Sequence, residues 1–397
     1  MLIKDLILKK VEAIEIDLSN RYDQLDSLGI FTGACGSLVF YYYLFRLTKE
    51  EKYQEKFYDL LDNIYDRINT DNYPNTYCDG LAGIALVIDY FSKKGMIAIE
   101  DVNETLAIFD DLMVEAATIS IHTLEEYDFL HGEFGALFYL CERMKENPLI
   151  ETDVIELFEI AAKTLQGDIA LNGKFAQEVH QGNCGMAHGN MSYIVIFSKF
   201  LEKVPENRAV KEAIVALVAH QLSFKSTDST SYSLFPSIVN DTDNILYNAV
   251  LGWCYGDQPI AIGLYIAGTV LKDQTILDQA YEIALHTSKR NTVLLSSKTE
   301  LTDAGLCHGM ASVAHNNKLL YAWTNEQVFY DNYLFFTEKV MERGNHPATA
   351  SGFRRYFGDD KHEDILGLLD GTMGIGVFLI STLLEEDTDW ERFFLLK

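Results

Sequence analysis

The stretch Gly80-Leu-Ala-Gly83, followed by the nearly all-apolar segment Ile84–Phe91, decides the fold of this chain. A helix that is apolar on every side is buried on every side. The segment therefore predicts a helix in the interior of a larger helical assembly. The two glycines at its start leave room for another backbone to approach closely.

The same glycine signature recurs along the 397 residues. Clear copies begin at Gly33, Gly132 and Gly371, and weaker copies begin at Gly189, Gly256 and Gly309. Seven units at a spacing of about 55 residues are typical of a repeat architecture.

Amphipathic stretches separate the apolar segments. In residues 51–68, Tyr53, Phe57, Leu60 and Leu61 follow the helical period, and the opposite face is charged. Because buried and one-sided helices alternate seven times, the sequence predicts an all-α fold with an inner ring of seven helices inside an outer ring of seven. We expect a single domain over residues 1–397, with loop insertions near 223–248 and 343–364.

The composition excludes several classes of protein. There are 59 acidic and 32 basic residues, for a net charge of −27, and such a surface repels nucleic acid and anionic lipid. A cationic peptide would be attracted, although solubility alone explains the acidity equally well. No signal peptide or membrane-length apolar run is evident, and the six cysteines are expected to be reduced thiols. We expect a cytoplasmic protein.

The residue that precedes the first glycine of each unit lies where a predicted inner helix begins. By the symmetry of the repeat, these residues should meet at one end of the barrel. They are Thr32, Asp79, His131, His188, Tyr255, His308 and Asp370. Helix capping is the favoured interpretation for Thr32, Asp79 and Asp370. Three histidines and a tyrosine indicate acid–base or metal chemistry instead.

Two units also carry cysteine, in Trp253-Cys254-Tyr255-Gly256 and in Cys307-His308-Gly309. Zinc prefers thiolate and imidazole ligands, and three protein ligands with an open fourth position are typical of catalytic sites. The ring order would bring Cys254 close to Cys307 and His308. From the residues alone, buried and inert cysteines are an equally good interpretation. The other four cysteines are expected to fill core space.

The two cysteine motifs, together with Gly185-Met186-Ala187-His188-Gly189, resemble the lanthionine synthetase C-like cyclases. The glycine signatures extend the resemblance from about Gly33 to Leu384. It implies an α/α toroid with one zinc ion per chain, and Cys254, Cys307 and His308 match the family's ligands. It also implies an enzyme that adds cysteine thiols of a precursor peptide to dehydrated Ser and Thr residues, forming lanthionine and methyllanthionine rings.

The resemblance also implies roles for residues around the metal. His188 matches the acid/base histidine of the family, and Asp128 matches its active-site aspartate. Tyr255 is the expected hydrogen-bond donor to the substrate carbonyl, with packing as an equal alternative. Trp253 and His131 are expected to contact the substrate.

One departure from the family concerns charge. Val250 stands three residues before Trp253, where family members often carry arginine. The glycine signatures at Gly189 and Gly256 are also altered. The sequence therefore offers no basic residue near the zinc to stabilise an enolate.

The implied partners are the dehydrated precursor peptide with its leader, a separate dehydratase and a membrane exporter. Peripheral association with a membrane through such a complex stays open. A non-catalytic protein that binds thiols or glutathione is the alternative function. A carbohydrase on an α/α barrel, with two carboxylates and no Cys/His site, is the rival enzyme.

Overall fold

The computed structural model describes residues 3–70, 72–121, 127–172, 182–228, 230–239, 245–290, 303–357, 361–386 and 388–397. Within these ranges the chain forms fourteen α-helices and one antiparallel pair of strands, β1 (Arg355–Tyr356) and β2 (His362–Glu363).

Seven helices, called core helices here, follow the glycine signatures. They are α2 (Cys35–Thr48), α4 (Leu81–Lys93), α6 (Glu133–Arg143), α8 (Asn190–Lys203), α10 (Asp257–Leu271), α12 (Met310–Thr324) and α14 (Thr372–Leu383). Seven flanking helices alternate with them. They are α1 (Ile3–Arg21), α3 (Glu51–Ile68), α5 (Ile99–Ser120), α7 (Glu151–Asn172), α9 (Arg208–Ser223), α11 (Gln274–Thr287) and α13 (Gln327–Arg343).

Burial separates the two kinds of helix as the sequence predicts. In α14 every residue from Thr372 to Ser381 is buried. In α3 the buried residues are Tyr53, Phe57, Leu60, Leu61 and Ile64, which share one face. The core helices are therefore enclosed by other helices, and the flanking helices keep one polar face in water.

The chain divides into two compact units. The first comprises Met1–Tyr73, Val250–Trp253 and Ser288–Lys397. In it, α14 packs against α1, α2 and α12, while α3 covers α2 and α13 covers α12. The strand pair β1–β2 belongs to this unit.

The second unit comprises Pro74–Ala249 and Cys254–Thr287. In it the core helices α4, α6, α8 and α10 pack in sequence order, and α5, α9 and α11 each pack on the core helix that precedes them. Whether residues 1–397 act as a single domain stays a prediction.

A charged cluster is buried among three helices of the second unit. Arg143 of α6 bonds to Asp89 of α4 at 2.9 Å and to Asp110 of α5 at 3.0 Å, and Tyr139 donates to Asp110 at 2.6 Å. Each charge is paired, which offsets the cost of removing it from water. The cluster fixes the mutual orientation of the three helices.

A recurring turn opens the core helices. The backbone N–H of the first helical residue donates to the carbonyl seven residues earlier, as in Leu81 to Pro74 at 2.8 Å and Thr372 to Ile365 at 2.9 Å. The N-cap residue of six core helices is glycine, and α2 begins after Ala34. Asp79 and Asp370 therefore lie one residue before the N-cap, rather than at it as expected.

The predicted insertions lack α-helices where they are described. The strand pair lies in residues 343–364, which the sequence predicts as loop. Residues 229, 240–244 and 358–360 of these segments lie outside the described part of the chain. Among the described helices, none combines the length and the apolar character that crossing a membrane requires.

The turn before α4 tests this account of the glycines. A Cβ at Gly80 would lie 2.1 Å from the carbonyl oxygen of Pro74, which accepts the N–H of Leu81. We expect Gly80→Ala to lower the free energy of unfolding by about 1–3 kcal/mol, the usual cost of overpacking. Chemical denaturation followed by circular dichroism measures the change.

Gly167→Ala in α7 is the matched control, because a Cβ there would meet no atom within 4 Å. Alanine favours a helix over glycine by roughly 0.5–1 kcal/mol, so this variant should be as stable as the wild type or more stable. Equal stability of Gly80→Ala and the wild type would contradict the steric argument.

Candidate active site

The turn that carries Cys307 and His308 is anchored from two sides within the first unit. The N–H groups of Leu306 and Cys307 both donate to the carbonyl of Leu369, at 2.9 and 3.0 Å. The carbonyl of Cys307 in turn accepts the N–H of Trp253 at 2.8 Å. Backbone bonds therefore hold Cys307 in place without using its side chain.

Cys254 follows Trp253 directly in the chain. The bond from Trp253 to Cys307 therefore also restricts the position of the Cys254 backbone. Within the second unit, the carbonyl of Cys254 accepts the N–H of Met186 at 3.0 Å. Gly256 ends the turn with a φ of 99°, which favours glycine. The thiol of Cys254 takes no part in these backbone bonds.

Cys307 and His308 are adjacent in the turn before α12, and the bond from Trp253 to Cys307 holds the residue that precedes Cys254 against that turn. Cys254 is buried, and the other two are half-buried. Two thiols and one imidazole suit zinc, and three ligands leave a fourth position for a substrate or water. The residues present therefore fit a catalytic zinc ion.

A buried carboxylate stands beside the histidine of this group. Asp303 Oδ2 lies 3.8 Å from His308 Nε2, while its Oδ1 accepts the N–H of Gly305 at 3.0 Å. That separation is too long for a hydrogen bond, so Asp303 acts on His308 through its charge. Asp303 belongs to no glycine signature, so the sequence pattern does not mark it as a site residue.

A second residue missed from the sequence is Arg355, on β1. Its Nη1 lies 2.9 Å from Asp370 Oδ2. Burial raises the pKa of Asp370. The charges of Arg355 and His308 and a hydrogen bond with Cys307 act to lower it, but burial outweighs them. The Nε of Arg355 is buried and has no hydrogen-bond partner among the described residues. A basic residue therefore stands near Cys307 and His308, although Val250 replaces the expected one.

Asp128 and His188 form a close pair in the second unit. Asp128 Oδ2 lies 2.6 Å from His188 Nδ1, and its Oδ1 accepts the N–H of His131 at 2.7 Å. Burial acts to lower the pKa of His188, but the hydrogen bond and charge of Asp128 outweigh it, so the pKa is raised. Burial likewise acts to raise the pKa of Asp128, and His188 with the His131 N–H lowers it overall.

The remaining predicted site residues differ in their exposure to solvent. Trp253 is 1% exposed, and its Nε1 donates to the carbonyl of Phe394 at 2.7 Å, so its indole supports the turn before Cys254. Tyr255 is half-buried, and its hydroxyl accepts from Asn183 Nδ2 at 3.5 Å. His131 is exposed and lines a cavity of about 380 Å³ beside α5 and α6.

Three of the other cysteines differ chemically from the metal-binding candidates. Burial raises the pKa of Cys35, Cys141 and Cys184 to about 12. Such thiols stay protonated at neutral pH and are poor nucleophiles and ligands. They fit the core-filling role that the sequence analysis assigns to them.

Comparison with known proteins gives a family and a fold. A family model described as "Lanthionine synthetase C-like protein" matches residues 25–395. A solved structure titled "Nisin cyclase" superposes with a TM-score of 0.75 at 18% identity, covering 98% of this chain and 97% of that one. No curated protein sequence matches. The predicted all-α fold, an α/α toroid, is confirmed.

Replacement of Asp128 tests the acid–base pair. In Asp128→Asn the pKa of His188 should fall, because burial then acts with little opposition. NMR titration of the histidine ring protons in metal-free protein measures it. His220 is the internal control, since burial alone lowers its pKa and the substitution should not change it. An unchanged pKa of His188 would remove Asp128 from this role.

The same pair sets the sign of a pH effect on stability. The raised pKa of His188 stabilises the fold below its ordinary value of about 6.5, and this is lost as pH rises through the raised pKa. The lowered pKa of Asp128 stabilises it above about 4, and this is lost as pH falls. The difference in unfolding free energy between the wild type and Asp128→Asn should therefore be largest between these values.

Proposed function

Because the chain belongs to the lanthionine synthetase C-like family, we propose that it is a zinc-dependent lanthipeptide cyclase. It would join cysteine thiols of a precursor peptide to dehydroalanine or dehydrobutyrine residues, forming lanthionine and methyllanthionine rings. The observation that carries the proposal is the 2.8 Å backbone bond from Trp253 to Cys307, which ties the residue before Cys254 to the turn that carries Cys307 and His308.

These three residues would hold the zinc ion. Zinc bound by these residues would supply a Lewis acid that lowers the pKa of the peptide thiol and so favours the thiolate, which is the nucleophile. Cys254 and Cys307 as thiolates keep the site electron-rich, so the sulfur of the peptide stays nucleophilic. A site of three neutral imidazoles would leave the sulfur of the peptide electron-poor and therefore less nucleophilic. The negative charge of Asp303, 3.8 Å from His308 Nε2, would stabilise the imidazole when it shares electrons with the ion.

His188 would move the proton. The reaction breaks the S–H bond of the peptide, forms a bond from sulfur to the β-carbon and leaves negative charge in an enolate. His188 accepts the thiol proton and returns it to the α-carbon, so no atom is gained or lost. Its pKa, raised by Asp128, suits a group that holds a proton between these two steps.

The neighbours of His188 would position it and the substrate. Asp128 fixes the ring of His188 through the 2.6 Å bond to Nδ1, which leaves Nε2 for the proton transfer. Tyr255 would donate to a substrate carbonyl. Trp253 would act indirectly, because its buried indole supports the turn that leads to Cys254.

Arg355 would stabilise the enolate. The charge that develops on the substrate carbonyl oxygen needs a cation or a hydrogen-bond donor, and such groups act most strongly where water is excluded. The buried Nε of Arg355 is such a donor, and Asp370 holds the other end of the guanidinium. These contacts support Arg355 as the residue that stabilises the enolate, in place of an arginine three residues before Trp253.

The substrate sets the expected surroundings of the enzyme. A peptide with dehydrated Ser and Thr implies a separate dehydratase, and we propose that the chain acts in the cytoplasm with that enzyme and an exporter. A net charge of −27 suits a cationic peptide. The alternative is a protein that binds a thiol such as glutathione at the same metal and does not form rings.

A cyclisation assay tests the proposal. The probe is a synthetic peptide with one dehydrobutyrine and one cysteine, treated with the chain and then with a thiol-alkylating reagent. Ring formation does not change the mass, so it appears in mass spectra as loss of the alkylated product. We expect wild-type protein with about one zinc ion at this site to remove the alkylatable thiol.

Two variants divide the mechanism. Cys307→Ala should lose both the zinc ion and cyclisation, whereas His188→Ala should keep the ion and cyclise about 10²- to 10⁴-fold more slowly, the usual cost of losing general acid–base catalysis. Cys141→Ala, which removes a buried thiol of α6, is the control and should keep both properties. Wild-type protein that binds the peptide and zinc but leaves the thiol free would support the thiol-binding alternative.

Arg355 has a matched neighbour for its own test. Arg355→Gln should retain zinc and slow cyclisation about 100-fold, as loss of one donor to a developing oxyanion does, and Arg355→Lys should recover part of the rate. Arg354→Gln is the control, because Arg354 is equally exposed but pairs with Asp364 at 2.8 Å. Equal rates for the two glutamine variants would exclude Arg355 from the reaction.

A further inference from the structure

The turn before α4 repeats the arrangement of the turn before α12. In each turn a cysteine and a second potential ligand immediately precede the N-cap glycine, as Cys78-Asp79-Gly80 and as Cys307-His308-Gly309. In both, the first helical N–H donates to the carbonyl seven residues back, at 2.8 Å for Leu81 and 3.0 Å for Met310. The backbone therefore presents Cys78 and Asp79 as it presents Cys307 and His308.

A histidine from the next turn of the same unit completes a group of three. The ligand atoms of Cys78, Asp79 and His131 all lie within 4.8 Å of one another. His131 Nδ1 and Asp79 Oδ2 are 3.9 Å apart. That separation is too long for a direct hydrogen bond and suits two ligands on one ion.

The two turns are fixed to each other by backbone bonds. The N–H of Cys78 donates to the carbonyl of Leu130 at 2.8 Å. The N–H of His131 donates to Asp128 Oδ1 at 2.7 Å. A Cβ at Gly135 would lie 2.6 Å from the Cβ of Tyr77, so the start of α6 packs closely on the segment before Cys78. The three ligands therefore stand on a rigid frame, as an ion site requires.

From this geometry we propose that Cys78, Asp79 and His131 form a second zinc site, separate from the catalytic one. Thiolate, carboxylate and imidazole are all zinc ligands, and three of them leave one coordination position open. The thiolate and imidazole select against magnesium and calcium, which prefer oxygen. With Cys78 and Asp79 ionised, the site with its ion is neutral.

The second site is weaker and more accessible than the first. It has one cysteine instead of two, and the side chains of His131 and Asp79 are 53% and 40% exposed. The ion would therefore enter from solvent and bind only after the site with two cysteines is filled. Once bound, it would link the starts of α4 and α6.

The second ion would also lie next to the acid–base pair. The rings of His131 and His188 are stacked with centroids 5.8 Å apart, and Asp128 bonds to both residues. Zinc on His131 would fix its ring and add positive charge beside His188. Zinc binding at this site can be measured without any substrate, so its test does not depend on cyclase activity.

Zinc titration of the metal-free, full-length chain tests the proposal. Competition with a chelator of known affinity should give two ions per wild-type chain in two steps, and Cys254→Ala/Cys307→Ala should keep only the weaker step. Asp79→Asn and His131→Ala should each weaken that step by more than the roughly 10- to 100-fold that changes outside the ligand set cost, and leave the stronger step unchanged.

Cobalt absorption identifies the ligands independently. Co²⁺ added to Cys254→Ala/Cys307→Ala should give a thiolate-to-metal charge-transfer band, and the band should disappear when Cys78→Ala is added. Cys141→Ala in place of Cys78→Ala is the control for loss of a buried thiol and should retain it. Circular dichroism confirms that each variant is folded.

Three results would overturn the second site. They are a single zinc ion on saturated wild-type protein, an unchanged weaker step in both Asp79→Asn and His131→Ala, or no charge-transfer band in folded Cys254→Ala/Cys307→Ala. Failure of the cyclase proposal looks different, because the peptide thiol would stay free while the ion count remained two.

Discussion

The backbone hydrogen bond that closes the turn before a core helix constrains much of this molecule. In five of these turns the first helical N–H donates to the carbonyl seven residues back, at Cys35, Leu81, Asn190, Met310 and Thr372. The turn before α2 accommodates Ala34 at its N-cap, but in the other four a Cβ at the N-cap glycine would meet backbone atoms. Glycine is therefore required there, and the residue just before it is placed by the turn rather than by its own side chain.

Much of this arrangement could be predicted from the sequence, because spacing and side-chain size determine it. The alternation of α14 with one-sided helices such as α3 follows from apolar periodicity. The place of Cys307 and His308 just before the N-cap glycine of α12 follows from their register in the repeat. The helix caps were predicted less well, since glycine at the N-cap leaves Asp79 and Asp370 one residue too early to be caps.

Arg355 and Asp303 could not have been found in this way, for a physical reason. Arg355 lies on a two-residue strand in a segment without helical periodicity, and its approach to Asp370 depends on tertiary packing. Asp303 begins the turn whose later residues carry the motif, and only the folded turn brings it within 3.8 Å of His308. Periodicity and motifs reveal residues that recur from one repeat to the next. Arg355 and Asp303 belong to the parts that differ between repeats, so no recurring pattern marks them.

Charged pairs in the second unit show why burial alone does not mark a functional group. Arg143 with Asp89 and Asp110 is as well bonded as Asp128 with His188, but the Arg143 side chain is 2% exposed and both of its carboxylate partners are enclosed. No substrate reaches such a cluster, so its role is to orient α4, α5 and α6. His188 keeps 31% of its side chain exposed while Asp128 is almost enclosed. A fixed and buried carboxylate behind a reachable imidazole is the arrangement that proton transfer requires, because one partner sets the basicity and the other meets the substrate. Exposure within a bonded pair therefore distinguishes an acid–base group from a structural one.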